Sequence, residues 1–64
     1  MHAGNVAPIG VFHAVATRDR HALDRDGTPY FEINALGVDG TGEPVYEVRL
    51  ADGTWMLASH RDLD

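Results

Sequence analysis

The chain has 64 residues, a formal net charge of −5 from ten acidic residues against five arginines, and neither lysine nor cysteine. A chain of this length supports one thin core, and without cysteine it has no disulfide, thiolate metal site or thiol nucleophile, while the missing lysine excludes Schiff-base and phosphate-loop lysine chemistry. The acidic balance argues against a general nucleic-acid binder. No apolar run is long enough to span a membrane and the start lacks a basic, apolar leader, so a cytoplasmic protein is expected.

Met1–Pro8 holds Gly4, Asn5 and Pro8 among small residues and shows no strand or helix period, which predicts a flexible arm (residues 1–8) ahead of a single small domain (residues 9–64). Ile9, Val11, Phe12, Val15 and Thr17 are β-branched or aromatic and predict a first strand over Ile9–Thr17. Arg18–Thr28 alternates charges around only Ala22 and Leu23, which predicts a long loop with at most one helical turn. Asp26-Gly27 and Pro29 close it, and Tyr30–Leu36 reads as a second strand. Asp39-Gly40 marks a turn before a third strand, Val45–Leu50. Asp52-Gly53 predicts a two-residue hairpin turn into a fourth strand, Thr54–Ser59. Ser59 and Asp62 have the spacing of a capping box, so His60–Leu63 predicts a terminal helical turn.

The two turns fix a register. With Asp52-Gly53 as the turn, Leu50 faces Trp55, Val48 faces Leu57 and Tyr46 faces Ser59; with Asp39-Gly40 central, Phe31 faces Val48 and Ile33 faces Tyr46. The inner face is then Phe31, Ile33, Tyr46, Val48, Leu50, Trp55 and Leu57, with the first strand covering its open side. The fold class is all-β: a four-stranded antiparallel meander or open barrel.

The run Tyr46–Leu57 with its Asp-Gly turn, closing in Asp62-Leu63, resembles the last hairpin and terminal turn of SH3-like small barrels of the Tudor and KOW kind. The resemblance covers about a third of the chain. It implies a binding module for proteins, peptides or nucleic acid, and a fifth strand for which this sequence leaves no residues after the turn. Tudor domains hold methylated side chains in an aromatic cage; here its walls would be Tyr30, Tyr46 and Trp55, two of which fall on the expected core face.

On the outer face the same register sets Glu32 opposite Glu47, with His60 one row away, a group able to hold a divalent metal or share a proton. Glu32, Glu47 and His60 are thus candidate metal ligands for an alternative small metal- or ligand-binding protein. Splaying of both side chains into water is the favoured account of the pair, and no metal or other cofactor is assigned. The four histidines, His2, His13, His21 and His60, show no metal-ligand spacing. Asp24-Arg25-Asp26-Gly27 fails the calcium-loop pattern, because Ile33 falls where the bidentate Glu is needed. The single serine, Ser59, adjoins His60, and neighbours on a strand point to opposite faces, so no nucleophile and base meet there. An enzyme is not expected.

The residues favour a non-enzymatic interaction module, with Tyr30, Glu32, Glu47, Arg49 and Met56 as partner-binding residues. Tyr30, Arg49 and Met56 would form one exposed row. Open edges on the first and fourth strands predict a homodimer or a protein partner bound by strand addition. A KOW-type nucleic-acid module resting on Arg18, Arg20 and Arg25, or an acidic inhibitor occupying a nucleic-acid site on another protein, are the remaining alternatives.

Overall fold

A computed structural model describes residues 7–64. The elements run β1 (Gly10–Phe12), α1 (Arg20–Leu23), β2 (Thr28–Val38), β3 (Pro44–Leu50), β4 (Trp55–Ser59) and a 3₁₀ turn (His60–Asp62). The strands form one antiparallel sheet in the order β1-β2-β3-β4, an all-β meander curled into a half-barrel. Most of the expected N-terminal arm lies outside the described residues; Ala7 and Pro8 are exposed and belong to no element.

β1 is far shorter than expected. The chain leaves the sheet after Phe12 because its next amides find a different acceptor: Val15, Ala16 and Thr17 donate their N–H groups to the carboxylate of Asp62, at 3.2, 2.6 and 3.2 Å. Asp62 is buried, at 1% exposure, and His13 N–H also bonds its main-chain oxygen at 2.7 Å. A carboxylate in that position is stable only because several donors converge on it. The single helical turn expected between Arg18 and Thr28 is α1, where Asp19 caps the chain by accepting from Ala22 N–H at 3.2 Å.

The hairpin between β3 and β4 corrects the expected register. Among the described residues none other than glycine has positive φ, so Asp52 does not enter a two-residue mirror-image turn. Instead Gly53 N–H bonds Leu50 O at 3.0 Å, Gly53 alone takes φ +86°, and Leu50 N–H bonds Thr54 O at 2.8 Å. The loop is therefore Ala51-Asp52-Gly53, one residue longer than expected, a form in which a tight turn is followed by a left-handed glycine. Arg49 consequently pairs with Trp55, Val48 with Met56, Glu47 with Leu57 and Tyr46 with Ala58. Because side chains alternate, that single step moves Trp55 and Leu57 to the opposite face and brings Met56 and Ala58 inward.

β2 shifts as well. It bonds β3 with irregularities between Tyr30 and Glu32 and between Ala35 and Gly37, so Ile33 pairs with Val48 and Ala35 with Tyr46, while Tyr30 pairs with Leu50. The first irregularity makes Phe31 an extra residue and allows Tyr30 and Ile33, three apart, to share the inner face. The core is Phe12, Ala22, Tyr30, Val48, Leu50 and Ala58, with Ala14, Met56 and Leu63 packed against it. Of the expected inner set, Val48 and Leu50 are fully buried, Phe31 and Tyr46 are half-buried, and Ile33, Trp55 and Leu57 are exposed. Phe12, at no measurable exposure, carries the covering role expected of the first strand.

β1 is not an open edge. Phe12 forms an antiparallel bridge to Leu63, and Asp64 N–H bonds Val11 O at 3.1 Å. Leu63 and Asp64 thus supply a minimal further strand where none was expected, and tie the end of the sheet to its beginning. Gly10 makes this closure possible: a Cβ there would collide with the main-chain oxygen of Asp64 and lie 2.7 Å from Tyr30 Oη. Beyond the closed end, β2 and β3 run out as a hairpin with Glu32–Gly42 exposed throughout, which gives the molecule its extents of 46 × 23 × 17 Å.

Candidate interaction face

Pairing across β2, β3 and β4 builds the outer face in rows. Glu32, Arg49 and Trp55 form one; Asn34, Glu47 and Leu57 form the next; Gly37, Val45 and Ser59 form the third. Arg49 Nε is ion-paired with Glu32 Oε2, and Asn34 Nδ2 donates to Glu47 Oε1 at 3.2 Å. The expected confrontation of Glu32 with Glu47 does not occur: the shifted register gives Glu32 a cation and Glu47 an amide, and the repulsion that would have invited a metal disappears. His60 lies in the 3₁₀ turn with Nε2 2.7 Å from Glu43 Oε1, away from that pair. Among the described residues no three His, Asp or Glu side chains converge on a metal position, so Glu32, Glu47 and His60 form no centre.

The expected partner-binding row is corrected in the same way. Tyr30 is buried at 4% exposure, and its hydroxyl donates to the main-chain oxygen of Asp64 at 2.9 Å. Burial first, and the nearby Asp64 charge second, raise its pKa above the ordinary tyrosine value. Met56 is half-buried against the core opposite Val48. Only Arg49 of that trio faces outward, and its row is completed by Glu32 and Trp55. The aromatic-cage residues do not converge either, since Tyr30 and Tyr46 line the inner face and Trp55 the outer.

Sequence reasoning therefore missed Trp55 and Leu57 as surface residues. They are 41% and 65% exposed, on a face that also carries half-buried Val45. Residue type held no signal for this, since Ala51-Asp52-Gly53 places glycine at the last loop position whether the loop has two residues or three. At its distal end the face runs into a cleft of about 330 Å³ between the Ala16-Thr17 segment, the loop after β2 and the end of β4, lined in part by Glu43, Leu57, Ser59 and Arg61. Asp39, also on its wall, is already committed: its Oδ1 accepts from Thr41 N–H at 2.8 Å, Thr41 Oγ1 at 2.7 Å and Glu43 N–H at 3.0 Å. These bonds, led by that from the threonine hydroxyl, hold its carboxyl below the usual carboxylate value. The cleft is open and its wall is mixed in charge.

In the loop before β2, Arg25 Nη1 is 2.8 Å from Asp52 Oδ2 and locks the loop to the β3–β4 turn. That hydrogen bond, followed by bonds from Thr54, pulls the Asp52 carboxyl far below its ordinary range. Arg18 and Arg20 are exposed but interleaved with Asp19, Asp24 and Asp26, so no basic patch forms there for a nucleic acid. Among the described residues, no helix is long and apolar enough to cross a membrane. Comparison of the chain with family models, with curated proteins and with solved structures found no match to any of them.

Proposed function

We propose that this chain is a non-enzymatic interaction module that receives a basic, partly apolar protein surface on the outer face of its sheet, and that it works in the cytoplasm. The observation that carries the reading is the exposure of Trp55 and Leu57 beside Glu32, Glu47 and Arg49 on one face of the paired strands. Interfaces are enriched in tryptophan and arginine at their centres, and an unburied tryptophan on a small domain is a strong anchor. A net charge of −5 steers the choice of partner toward a basic surface. Kinship with Tudor or KOW barrels belongs to the same proposal; the curled meander, the terminal 3₁₀ turn and the Phe12–Leu63 bridge support it.

The test is a Trp55→Ala, Leu57→Ala double variant, compared with the unaltered protein for the complex each forms with co-purifying protein in lysate of its own host. Both side chains lie outside the core, so the thermal midpoint should change little while the complex is lost. Retention of the complex with both residues replaced would reject the outer face as the binding surface.

A further inference from the structure

We propose that a second copy of this chain pairs, antiparallel, with the free edge of β2 over Phe31–Val38. This deepens the interaction-module reading but uses a different surface of the sheet, so each can fail without the other. β1 bonds only Thr28–Tyr30 of β2. Its extension along β2 stops where Ala7 and Pro8 leave the sheet, Pro8 having no N–H to give to a ladder. From Phe31 onward β2 has β3 on one side and no strand on the other among the described residues. At about 3.4 Å per residue this edge runs roughly 27 Å.

Three properties of the edge suit a copy of itself. Between Phe31 and Val38 there is no proline and no cation, and the single charge, Glu32, is neutralised from the other side by Arg49; of the usual guards against edge pairing only the irregularities at Phe31 and Leu36 are present, and the regular run Glu32–Ala35 between them is unguarded. The side chains are also self-complementary about a two-fold axis through Asn34, near the middle of the edge. Asn34 would face the second copy's Asn34, amide donor to amide acceptor, and Ile33 would face the second copy's Ala35 on the inner side. Ile33, 37% exposed, and Leu36, 52% exposed, would both lose contact with water. Charge does not oppose this register either. Each Glu32 would lie opposite Leu36 of the other copy, putting the two carboxylates roughly 14 Å apart along the ladder, beyond the ~8 Å screening length of physiological salt.

The edge is short for an interface. A strand pair of this length buries on the order of 800 Å² in total, below the ~1,200 Å² typical of stable complexes, so the dimer should be reversible, with a Kd on the order of 10–100 μM. Sedimentation equilibrium from about 1 to 500 μM should show the mass rising from 7.0 kDa toward twice that value. Asn34→Lys sets two cations on the axis and should raise Kd at least tenfold, whereas Thr41→Lys, the same charge change at the hairpin tip, should leave it unaltered. The Trp55→Ala, Leu57→Ala variant should dimerise normally. Exchange of the Phe31–Val38 amides that point away from β3 should be fast at 1 μM and slowed at 500 μM, while those bonded to β3 stay protected at both. A monomer at every concentration would overturn the proposal, as would a dimer indifferent to Asn34→Lys or abolished by the Trp55 and Leu57 changes. Protection at 1 μM of the Phe31–Val38 amides that point away from β3 would overturn it too, because the chain's own N-terminal residues would then cover the edge.

Discussion

Replacing Asp62 should unfasten the segment that closes the half-barrel. Its carboxylate accepts from Val15, Ala16 and Thr17 N–H groups and is 1% exposed, while the three donors lie nearer the surface. In Asp62→Ala those amides turn to water where it reaches them, so the loss is taken as about 1 kcal/mol for each bond rather than the full cost of three buried orphans, roughly 3 kcal/mol in all. A domain of this size is stable by only about 3–10 kcal/mol. With a urea m-value near 1 kcal/mol/M, the midpoint should fall by about 3 M. Asp62→Asn separates charge and geometry from simple deletion. Its amide oxygen can still serve Val15 and Ala16, but the amide nitrogen would meet the Thr17 N–H donor to donor, so a loss of about 1–2 kcal/mol is expected. Amide exchange gives the local readout: Val15, Ala16 and Thr17 should be protected in the unaltered protein, and Thr17 alone should exchange faster in Asp62→Asn. An Asp62→Ala protein within about 0.5 kcal/mol of the original would refute the reasoning, since it would mean the three bonds are no better than bonds to water.

Gly10→Ala should destabilise strongly, because its Cβ has no room between the Asp64 main-chain oxygen and Tyr30 Oη; overpacking costs about 1–3 kcal/mol, read as a lowered thermal midpoint, and an unchanged midpoint would mean that Leu63 and Asp64 do not close the sheet. Acid should weaken the fold through Asp39 and Asp52, whose carboxyls titrate lower in the folded chain than in the unfolded one. Their contribution is complete above the ordinary value of 3.8 and is lost as pH falls through the folded values, and Arg25→Ala should shrink the difference in thermal midpoint between pH 7 and pH 3. Tyr30 acts at the other limit: with its pKa raised above 10.0, its contribution holds below that pH and is lost as pH rises through the folded value, a limb that Tyr30→Phe should remove.

How far the sequence could be read follows from which features are local. The single helical turn between Arg18 and Thr28, the placing of turns at glycines and the four-strand order depend on neighbouring residues and were legible. The full burial of Val48 and Leu50 was legible too, because they sit on the central strand, where either register keeps them inside. The three-residue turn at Ala51-Asp52-Gly53 could not be told from a two-residue one by residue type, since both place glycine at the last loop position, and that one residue decided the faces of Trp55 and Leu57. The irregularities at Phe31 and Leu36 have no local sequence signature here. The role of Asp62 was hidden for a different reason: its three donors are 45 to 47 residues away in the chain, and a capping-box reading looks only three residues back.

Those non-local features also shaped the candidate surface. Asp62 draws residues 15–17 off the sheet and so ends β1 at Phe12, while at the other end of β1 Ala7 and Pro8 leave the sheet, so that among the described residues β2 has no neighbour on that side beyond Tyr30. The longer turn puts an aromatic and an aliphatic side chain of β4 on the solvent side, while Met56 and Ala58 fill the core in their place. A sheet with two apolar sides cannot bury both in one thin layer of 64 residues. Tyr30, Val48 and Leu50 claim the interior because Phe12 and Ala22 cover them, and the second apolar side is left to the surface. Its exposure is a consequence of where closure occurs, and any protein that covers Trp55 and Leu57 would complete burial that the chain by itself has too few residues to provide.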